Sequence, residues 1–168
     1  MGLFDFLKGK GQNEETKQAT LYSPCNGDFV PIEEVSDPVF SQKMMGDGFG
    51  VDPSDGKIYS PGKGKVVSVF PTKHAVGVEL DNGIEVLVHI GIDTVELKGD
   101  PFETVVEEGD LVEPGTLLST VDLDKLAAAG KETTVIVILT NMDAVEELDL
   151  QADGAVSKGD PLGTVTAK

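Results

Sequence analysis

Residues 74–90 read HAVGVELDNGIEVLVHI, and this stretch decides the fold class. Two runs rich in valine flank the tripeptide Asp81-Asn82-Gly83, and Asn-Gly between apolar runs is the strongest short-range signal for a β-hairpin. His74 opens the first run, and His89 stands near the end of the second. The stretch therefore predicts two antiparallel strands with a histidine at the outer end of each.

The length of the turn decides whether the two imidazole rings can meet. A two-residue turn at Asn82-Gly83 pairs His89 with Val76 and leaves His74 on the same face, one diagonal step and roughly 7–8 Å away. A three-residue turn shifts the register by one residue and sends the two rings to opposite faces.

The side chains of the two strands give opposing indications about this turn. A three-residue turn gathers the valines of both strands on one face, which can then be buried. The same register places Glu79 opposite Glu85, and like charges in a directly opposed pair destabilise a sheet. The sequence favours the two-residue turn slightly and leaves both registers open.

Outside the hairpin, short apolar runs alternate with turn residues. They predict further strands over residues 27–32, 57–60, 65–70, 116–121, 133–139 and 162–166. A helix is predicted over residues 123–129, capped by Asp122 or Asp124 and closed by Gly130, and a second helical turn over residues 144–148. The predicted fold is an all-β antiparallel sandwich or barrel with one or two short helices.

Two segments of the chain echo each other. Residues 108–118 read EGDLVEPGTLL, and residues 158–165 read KGDPLGTV. Gly-Asp turns that lead into apolar runs are shared by both segments, so the sequence predicts a duplicated strand motif.

Length and composition limit the possible functions. The 168 residues suit one domain with a single sizeable core. A net charge of -17, with no arginine, argues against nucleic-acid binding, which needs a basic surface. Cys25 is the single cysteine and no apolar run is long enough to span a bilayer, so a cytoplasmic location is predicted.

The first residues differ in character from the rest. Residues 1–19 are predicted to be a flexible segment, and residues 20–168 to be the folded domain. Within the segment, Leu3, Phe4, Phe6 and Leu7 could contact a membrane surface as a short amphipathic helix. A frayed tail is the competing interpretation, because so short a helix is marginally stable alone.

The two histidines are the candidate reactive groups. Taken singly, each is more often structural or merely exposed than catalytic, but their hairpin arrangement raises the odds of a shared function. A neutral imidazole is a good nucleophile that can form a phosphohistidine, and a second imidazole can stabilise the phosphoryl oxygens. Thr72 is placed to orient His74.

The residues around both histidines resemble one family closely. Residues 70–75 (FPTKHA) and 88–97 (VHIGIDTVEL) are similar to motifs of the glucose-type enzyme IIA domain of bacterial sugar phosphotransferase systems. Weaker matches are DPVFS at 37–41, GDG at 46–48 and NM at 141–142. The resemblance extends from about Leu21 to the C-terminus.

The resemblance implies a monomeric antiparallel sandwich that relays phosphate. His89 would accept a phosphoryl group from the phosphocarrier protein HPr and pass it to the cysteine of a IIB domain, forming a phosphohistidine on the way. His74, assisted by Thr72, would stabilise the phosphoryl group. No cofactor and no intrinsic metal are implied, although a partner-dependent zinc ion could bridge His74 and His89.

The resemblance also implies an apolar docking surface around the histidines. Its expected members are Val39, Phe40, Phe70, Leu87 and Val95. Leu87 and Ile90 stand where some family members carry phenylalanine, which changes the shape of that surface. For Leu87 and Val95, an ordinary place in the core is the competing interpretation.

Other functions remain as alternatives at this stage. A regulatory interaction protein of the same family, with its own protein targets, would need no transport role. A zinc peptidase of the lysostaphin type needs more than two histidines, and a lipoyl- or biotinyl-type carrier needs a lysine at the hairpin tip, where Asp81-Asn82-Gly83 has none. The sequence leaves open which sugar is served and whether the chain is free-standing or part of a permease.

Overall fold

The computed structural model describes residues 17–168, so the predicted contact of residues 3–7 with a membrane lies outside the described residues. These residues form fourteen strands: β1 (Gln18–Tyr22), β2 (Gly27–Pro31), β3 (Gly48–Pro53), β4 (Lys57–Tyr59), β5 (Gly64–Val69), β6 (Ala75–Leu80), β7 (Glu85–Ile90), β8 (Phe102–Thr104), β9 (Leu111–Val112), β10 (Leu117–Val121), β11 (Val135–Leu139), β12 (Val145–Leu150), β13 (Ala155–Val156) and β14 (Pro161–Ala167). The helices are α1 (Pro38–Ser41), α2 (Leu123–Ala128) and short 3₁₀-helices at Ile32–Glu34, Thr94–Leu97 and Met142–Ala144.

The strands form three antiparallel sheets. The largest has eight strands in the order β13-β2-β3-β11-β7-β6-β5-β9, and two three-stranded sheets have the orders β1-β14-β12 and β4-β10-β8. This arrangement confirms the predicted antiparallel sandwich with two short helices.

The eight-stranded sheet is buried on both faces. Its inner face packs on the two small sheets through the main core, to which Val76, Val88 and Val137 belong. Its outer face carries a second, smaller cluster, which includes Ala75, Leu87, Ile136 and Ile138 from the strands together with residues of the covering loops, Ile32, Val35, Phe40 and Ile92. Strand β11 has the continuous apolar sequence VIVIL and is fully buried, and its side chains point alternately into the two clusters.

The β6–β7 hairpin has a three-residue turn, so the two-residue turn slightly favoured above is wrong. Ala75 pairs with His89 and Glu79 with Glu85. Gly83 has φ +87°, a left-handed conformation that glycine adopts without strain, and its N–H donates to the carbonyl oxygen of Leu80 at 2.8 Å. Burying the valines of both strands together outweighs the opposed glutamates, which are only half-buried.

The eight predicted strands are all present, with ends that differ by one or two residues. The missed strands are β1, β3, β8, β9, β12 and β13, which are short, polar or interrupted by glycine and proline. Helix α2 and its cap are also confirmed, because the Asp122 carboxylate accepts from the N–H of Lys125 at 3.2 Å. Helix α1 was not predicted.

The helical turn predicted over residues 144–148 is wrong. Only Met142–Ala144 is helical, and Val145–Leu150 form β12, which pairs with β14. The ladder of hydrogen bonds to β14 overrides the local helix propensity of a segment that contains two glutamates and two leucines.

The echoed segments form two equivalent turns. Gly109 and Gly159 both have positive φ, at +95° and +77°. The carboxylates of Asp110 and Asp160 each accept from the backbone N–H three residues earlier, at 2.9 and 2.8 Å. Each turn leads directly into a strand, so the duplicated motif is a repeated piece of structure.

Replacing either glycine with alanine tests this equivalence. No atom lies within 4 Å of a Cβ built at Gly109 or Gly159, so only the left-handed backbone opposes a side chain. We expect Gly109→Ala and Gly159→Ala each to lower the free energy of unfolding by about 1 kcal/mol in urea denaturation. Asparagine at the same positions should cost less, and unequal costs for the two alanines would contradict equivalence.

Candidate functional site

The two histidines lie side by side on the outer face of the eight-stranded sheet. Their ring centroids are 5.0 Å apart and the rings meet edge to face, at 79°. In the strand register, His89 stands between Ala75 of β6 and Ile136 of β11. Ala75 carries only a methyl group, which leaves room for the ring of His74 beside that of His89.

The expectation that a three-residue turn separates the rings is also wrong. That expectation assumed that His74 continues the alternation of β6, but β6 begins at Ala75. Lys73 has φ +59°, and its N–H closes a turn on the carbonyl oxygen of Phe70 at 2.8 Å. The left-handed residue breaks the alternation of faces, so His74 turns toward the face that carries His89.

The ring of His89 is held in one tautomer. Its Nδ1 lies 2.7 Å from the carbonyl oxygen of Gly91, which can only accept, so Nδ1 carries the proton and Nε2 keeps its lone pair. Gly91 has φ +81°, and a Cβ there would lie 2.6 Å from the Cγ2 atom of Thr94. The chain thus needs glycine where it presents this carbonyl.

Thr72 fixes the orientation of His74. Its Oγ1 atom lies 2.6 Å from Nδ1 of the ring, and His74 is only 7% exposed. The hydroxyl group can donate to this nitrogen or accept from it. When the hydroxyl donates, Nε2 of His74 carries the ring proton and can donate to a neighbouring anion.

Both imidazoles are kept neutral. The pKa of His89 is lowered from 6.5 to about 4, mainly by burial and also by the neighbouring His74, against the opposing effects of the Gly91 carbonyl and the Asp37 and Asp93 carboxylates. Burial also lowers the pKa of His74. Two neutral imidazoles at pH 7 offer nucleophilic nitrogen without a proton to remove first.

Apolar side chains surround the pair. The ring of Phe40 meets His89 edge-on at 5.1 Å, and that of Phe70 meets His74 at 5.4 Å. Leu87 is buried in the outer cluster, whereas Val39 and Val95 are 41% and 48% exposed. The structure therefore places Phe40 and Phe70 against the histidines, Leu87 in the cluster beneath, and the two valines at the surface.

Sequence reasoning assigned no role to Gly91, Asp37 or Asp93. The signal was present, because the motif that follows His89 contains Gly91 and Asp93. The contributions of Gly91 and Asp93 depend on the left-handed backbone conformation of these two residues. That of Asp37 depends on the course of the chain at the start of α1, where its carboxylate accepts from the N–H of Val39 at 2.8 Å. Spacing along the chain does not disclose these contacts.

Within residues 17–168 no three His, Cys, Asp or Glu side chains group as metal ligands would. In the same range no helix is both long and apolar enough to cross a membrane. Cys25 is fully buried, and burial raises the pKa of its thiol to about 12, so it is a structural residue rather than a nucleophile.

The depressed pKa of His89 predicts a pH-dependent stability. Between pH 6.5 and 4 the unfolded chain binds a proton that the folded chain excludes, so stability falls as pH falls. We expect the wild-type free energy of unfolding, taken relative to that of His89→Gln, to drop by about 2 kcal/mol between pH 7.5 and 5. Urea titrations of both proteins at both pH values measure this difference in the free energy of unfolding, and the titration of the carboxylates cancels between them. A difference that does not change with pH would contradict the burial argument.

The left-handed Lys73 predicts a backbone requirement. Lys73→Val, a β-branched residue at φ +59°, should lower stability by about 1–2 kcal/mol and separate the two rings. Lys73→Gly and Lys73→Asn adopt this conformation readily and should keep the rings in contact. Nuclear Overhauser contacts between the ring protons provide the readout, and retained contacts in Lys73→Val would show that another feature turns His74.

The chain is similar to known proteins both in sequence and in structure. The family described as "phosphoenolpyruvate-dependent sugar phosphotransferase system, EIIA 1" matches residues 19–145. The chain is 46% identical over 158 residues to the glucose-specific EIIA component of Staphylococcus aureus, covering 94% of this chain and 95% of that protein. It is 53% identical over 137 residues to the glucose-specific EIICBA component of Streptococcus pneumoniae, covering 82% of this chain but only 19% of that longer protein.

Among solved structures, glucose permease IIA from Mycoplasma capricolum superimposes with a TM-score of 0.80 at 37% sequence identity. The superposition covers 88% of this chain and 96% of that one. Both kinds of comparison confirm the family that the motifs around the two histidines resemble. The chain belongs to the EIIA 1 family of the phosphoenolpyruvate-dependent sugar phosphotransferase system and is a phosphoryl-transfer component of such a system.

Proposed function

We propose that His89 carries the phosphoryl group, accepting it from HPr and passing it to the cysteine of a IIB domain. The observation that carries this proposal is the hydrogen bond of 2.7 Å from Nδ1 of His89 to the Gly91 carbonyl, which leaves the lone pair on Nε2 for attack. Two relatives at 46% and 53% identity are named glucose-specific, which favours glucose as the sugar served.

The transfer moves one phosphoryl group and requires no proton to leave His89. The Nε2 lone pair forms the new N–P bond as the N–P bond of the phosphorylated HPr histidine breaks. The proton on Nδ1 stays hydrogen-bonded to the Gly91 carbonyl throughout. The dipole of this carbonyl therefore stabilises the positive charge that develops on the ring of His89. In the second step the cysteine thiolate of IIB forms the S–P bond and His89 recovers its lone pair.

His74 is proposed to stabilise the transferring group. Its ring centroid is 5.0 Å from that of His89, so an oxygen of a phosphoryl group carried on Nε2 of His89 is within its reach. With Thr72 donating to Nδ1, Nε2–H of His74 donates to that oxygen. Since phosphoryl transfer depends mainly on positioning and electrostatics, this hydrogen bond is the main contribution expected from His74.

The apolar surroundings are proposed as the docking surface. Val39 and Val95 offer exposed apolar area, and Phe40 and Phe70 line the histidines themselves. A partner that covers these residues excludes water from the phosphohistidine and favours transfer over hydrolysis. Leu87 and Phe40 are only 8% and 5% exposed, so they support this surface by packing, whereas Val39, Val95 and the half-buried Phe70 can contact the partner.

The charges near His89 favour basic partners. Asp37 and Asp93 act on His89 electrostatically, and the whole chain carries a net charge of -17. A partner with lysine or arginine beside its own phosphoryl group would be drawn to these carboxylates. We expect HPr and IIB to present such residues to this face.

The domain assignment and the cellular location are part of the same proposal. Residues 20–168 are proposed to act as the IIA domain, with the N-terminal residues as a separate segment, in the cytoplasm where its partners work. The regulatory role without transport, the zinc peptidase and the lipoyl-type carrier are not favoured by the family match.

Phosphorylation from phosphoenolpyruvate tests the carrier role. Incubation with enzyme I and HPr should add one phosphoryl group, seen by mass spectrometry and lost in acid, as phosphohistidines are. His89→Gln should take up none, because the nucleophilic nitrogen is gone. Unphosphorylated wild-type protein, or phosphate retained in His89→Gln, would contradict the proposal.

His74→Gln separates the two histidines in the same assay. It leaves Nε2 of His89 in place, so the variant should still be phosphorylated, with transfer slowed by roughly 10²-fold through loss of one donor to the phosphoryl oxygens. Quench-flow measurement of the transfer from HPr provides the rate. A rate equal to wild type would remove His74 from the mechanism.

A further inference from the structure

The backbone of Ile90 connects the segment that carries His74 to the turn that follows His89. The N–H of Ile90 donates to the carbonyl oxygen of His74 at 2.7 Å. The carbonyl oxygen of Ile90 accepts from the Oγ1 hydroxyl of Thr94 at 2.6 Å. Ile90 and Thr94 are both fully buried, so solvent does not compete for these bonds.

The methyl group of Thr94 also packs against the turn that follows His89. Its Cγ2 methyl group occupies the space beside Gly91, 2.6 Å from where a Cβ of residue 91 would stand. Gly91 in turn supplies the carbonyl that holds Nδ1 of His89. A single threonine thus contacts both residues that follow His89.

The outer side of this turn is tied to the neighbouring segment. The N–H of Gly91 donates to the carbonyl oxygen of Thr134 at 2.9 Å, and that of Ile92 to the carbonyl oxygen of Glu132 at 3.1 Å. These backbone bonds tie the turn to residues 132–134, and the hydroxyl and methyl groups of Thr94 add contacts to Ile90 and Gly91.

We propose that Thr94 is a positioning residue for phosphoryl transfer, which fixes the 90–94 turn so that both histidines keep their mutual orientation. This inference rests on the proposed function of His89. The hydroxyl binds the carbonyl oxygen of Ile90, the residue whose N–H binds His74, and the methyl group packs against the glycine whose carbonyl binds His89. Thr94 itself is fully buried, so its contribution is to position the turn.

The hydroxyl and the methyl group of Thr94 can be removed separately by substitution. Thr94→Val keeps the methyl group but leaves the Ile90 carbonyl, buried, without its donor, whereas Thr94→Ser keeps the hydroxyl. Thr104→Val is a matched control, because Oγ1 of Thr104 is buried and has no hydrogen-bond partner within residues 17–168. Its loss removes a hydroxyl from the same fold without touching the turn.

Two readouts test the proposal in the intact protein. The first is the rate of phosphoryl uptake from HPr, which we expect to fall about tenfold or more in Thr94→Val, since small misplacements of a nucleophile have effects of this size. The second is the pair of ¹⁵N shifts of the His89 ring across pH 4–8. In Thr94→Val the ring should exchange between tautomers, and its titration midpoint should rise toward the ordinary value for histidine.

The conservative variant and the control complete the design. Thr94→Ser should keep the His89 nitrogen shifts of the wild type and most of its rate, and Thr104→Val should match the wild type in both. If Thr94→Val does not fold, the comparison of Thr94→Ala with Thr94→Ser makes the same test. Wild-type rate and wild-type nitrogen shifts in a folded Thr94→Val or Thr94→Ala would overturn the proposal.

The two proposals fail differently. If the wild-type protein takes up no phosphate, the carrier function is wrong, while the ¹⁵N shifts still report whether Thr94 fixes the ring of His89. If the wild type is phosphorylated and the ring shifts do not respond to Thr94, the positioning role alone is wrong.

Discussion

The hydrogen-bonded ladder between β6 and β7 holds Ala75 opposite His89, and the geometry of the site depends on this register. A slip by one residue would turn the valines of the slipped strand away from the main core, so hydrophobic burial enforces the register. The same register leaves His89 on the outer face, where the small side chain of Ala75 makes space. Packing of the core and placement of the reactive ring therefore have one cause.

Burial of the imidazoles then determines their chemistry. Removing His89 from water disfavours its cation more than the Gly91 carbonyl and the Asp37 and Asp93 carboxylates favour it, so the pKa falls to about 4. The acidic surface can attract a basic partner without charging the ring. A site with the same carboxylates and an exposed histidine would hold much more of the cation, which has no lone pair for attack.

Sequence and structure agree best where local patterns and tertiary packing favour the same outcome. The alternating valines of β6 and β7 and the capped helix α2 belong to this class. They disagree at Val145–Leu150, where pairing with β14 outweighs helix propensity, and at β3, whose glycines and proline give no strand signal. Strands that are stabilised by neighbours distant in the chain leave little trace in their own residues.

The sequence by itself determined the fold class and the family and pointed to two candidate histidines, because hydrophobic alternation, turn residues and a specific motif are local properties of the chain. Only the tertiary structure decided the register of the hairpin and the contact between the rings. The reason is that one left-handed residue, Lys73, reverses the face to which His74 points, and no periodic pattern records such a break. The neutrality of the rings was likewise decided by packing, since it arises from residues far apart in sequence.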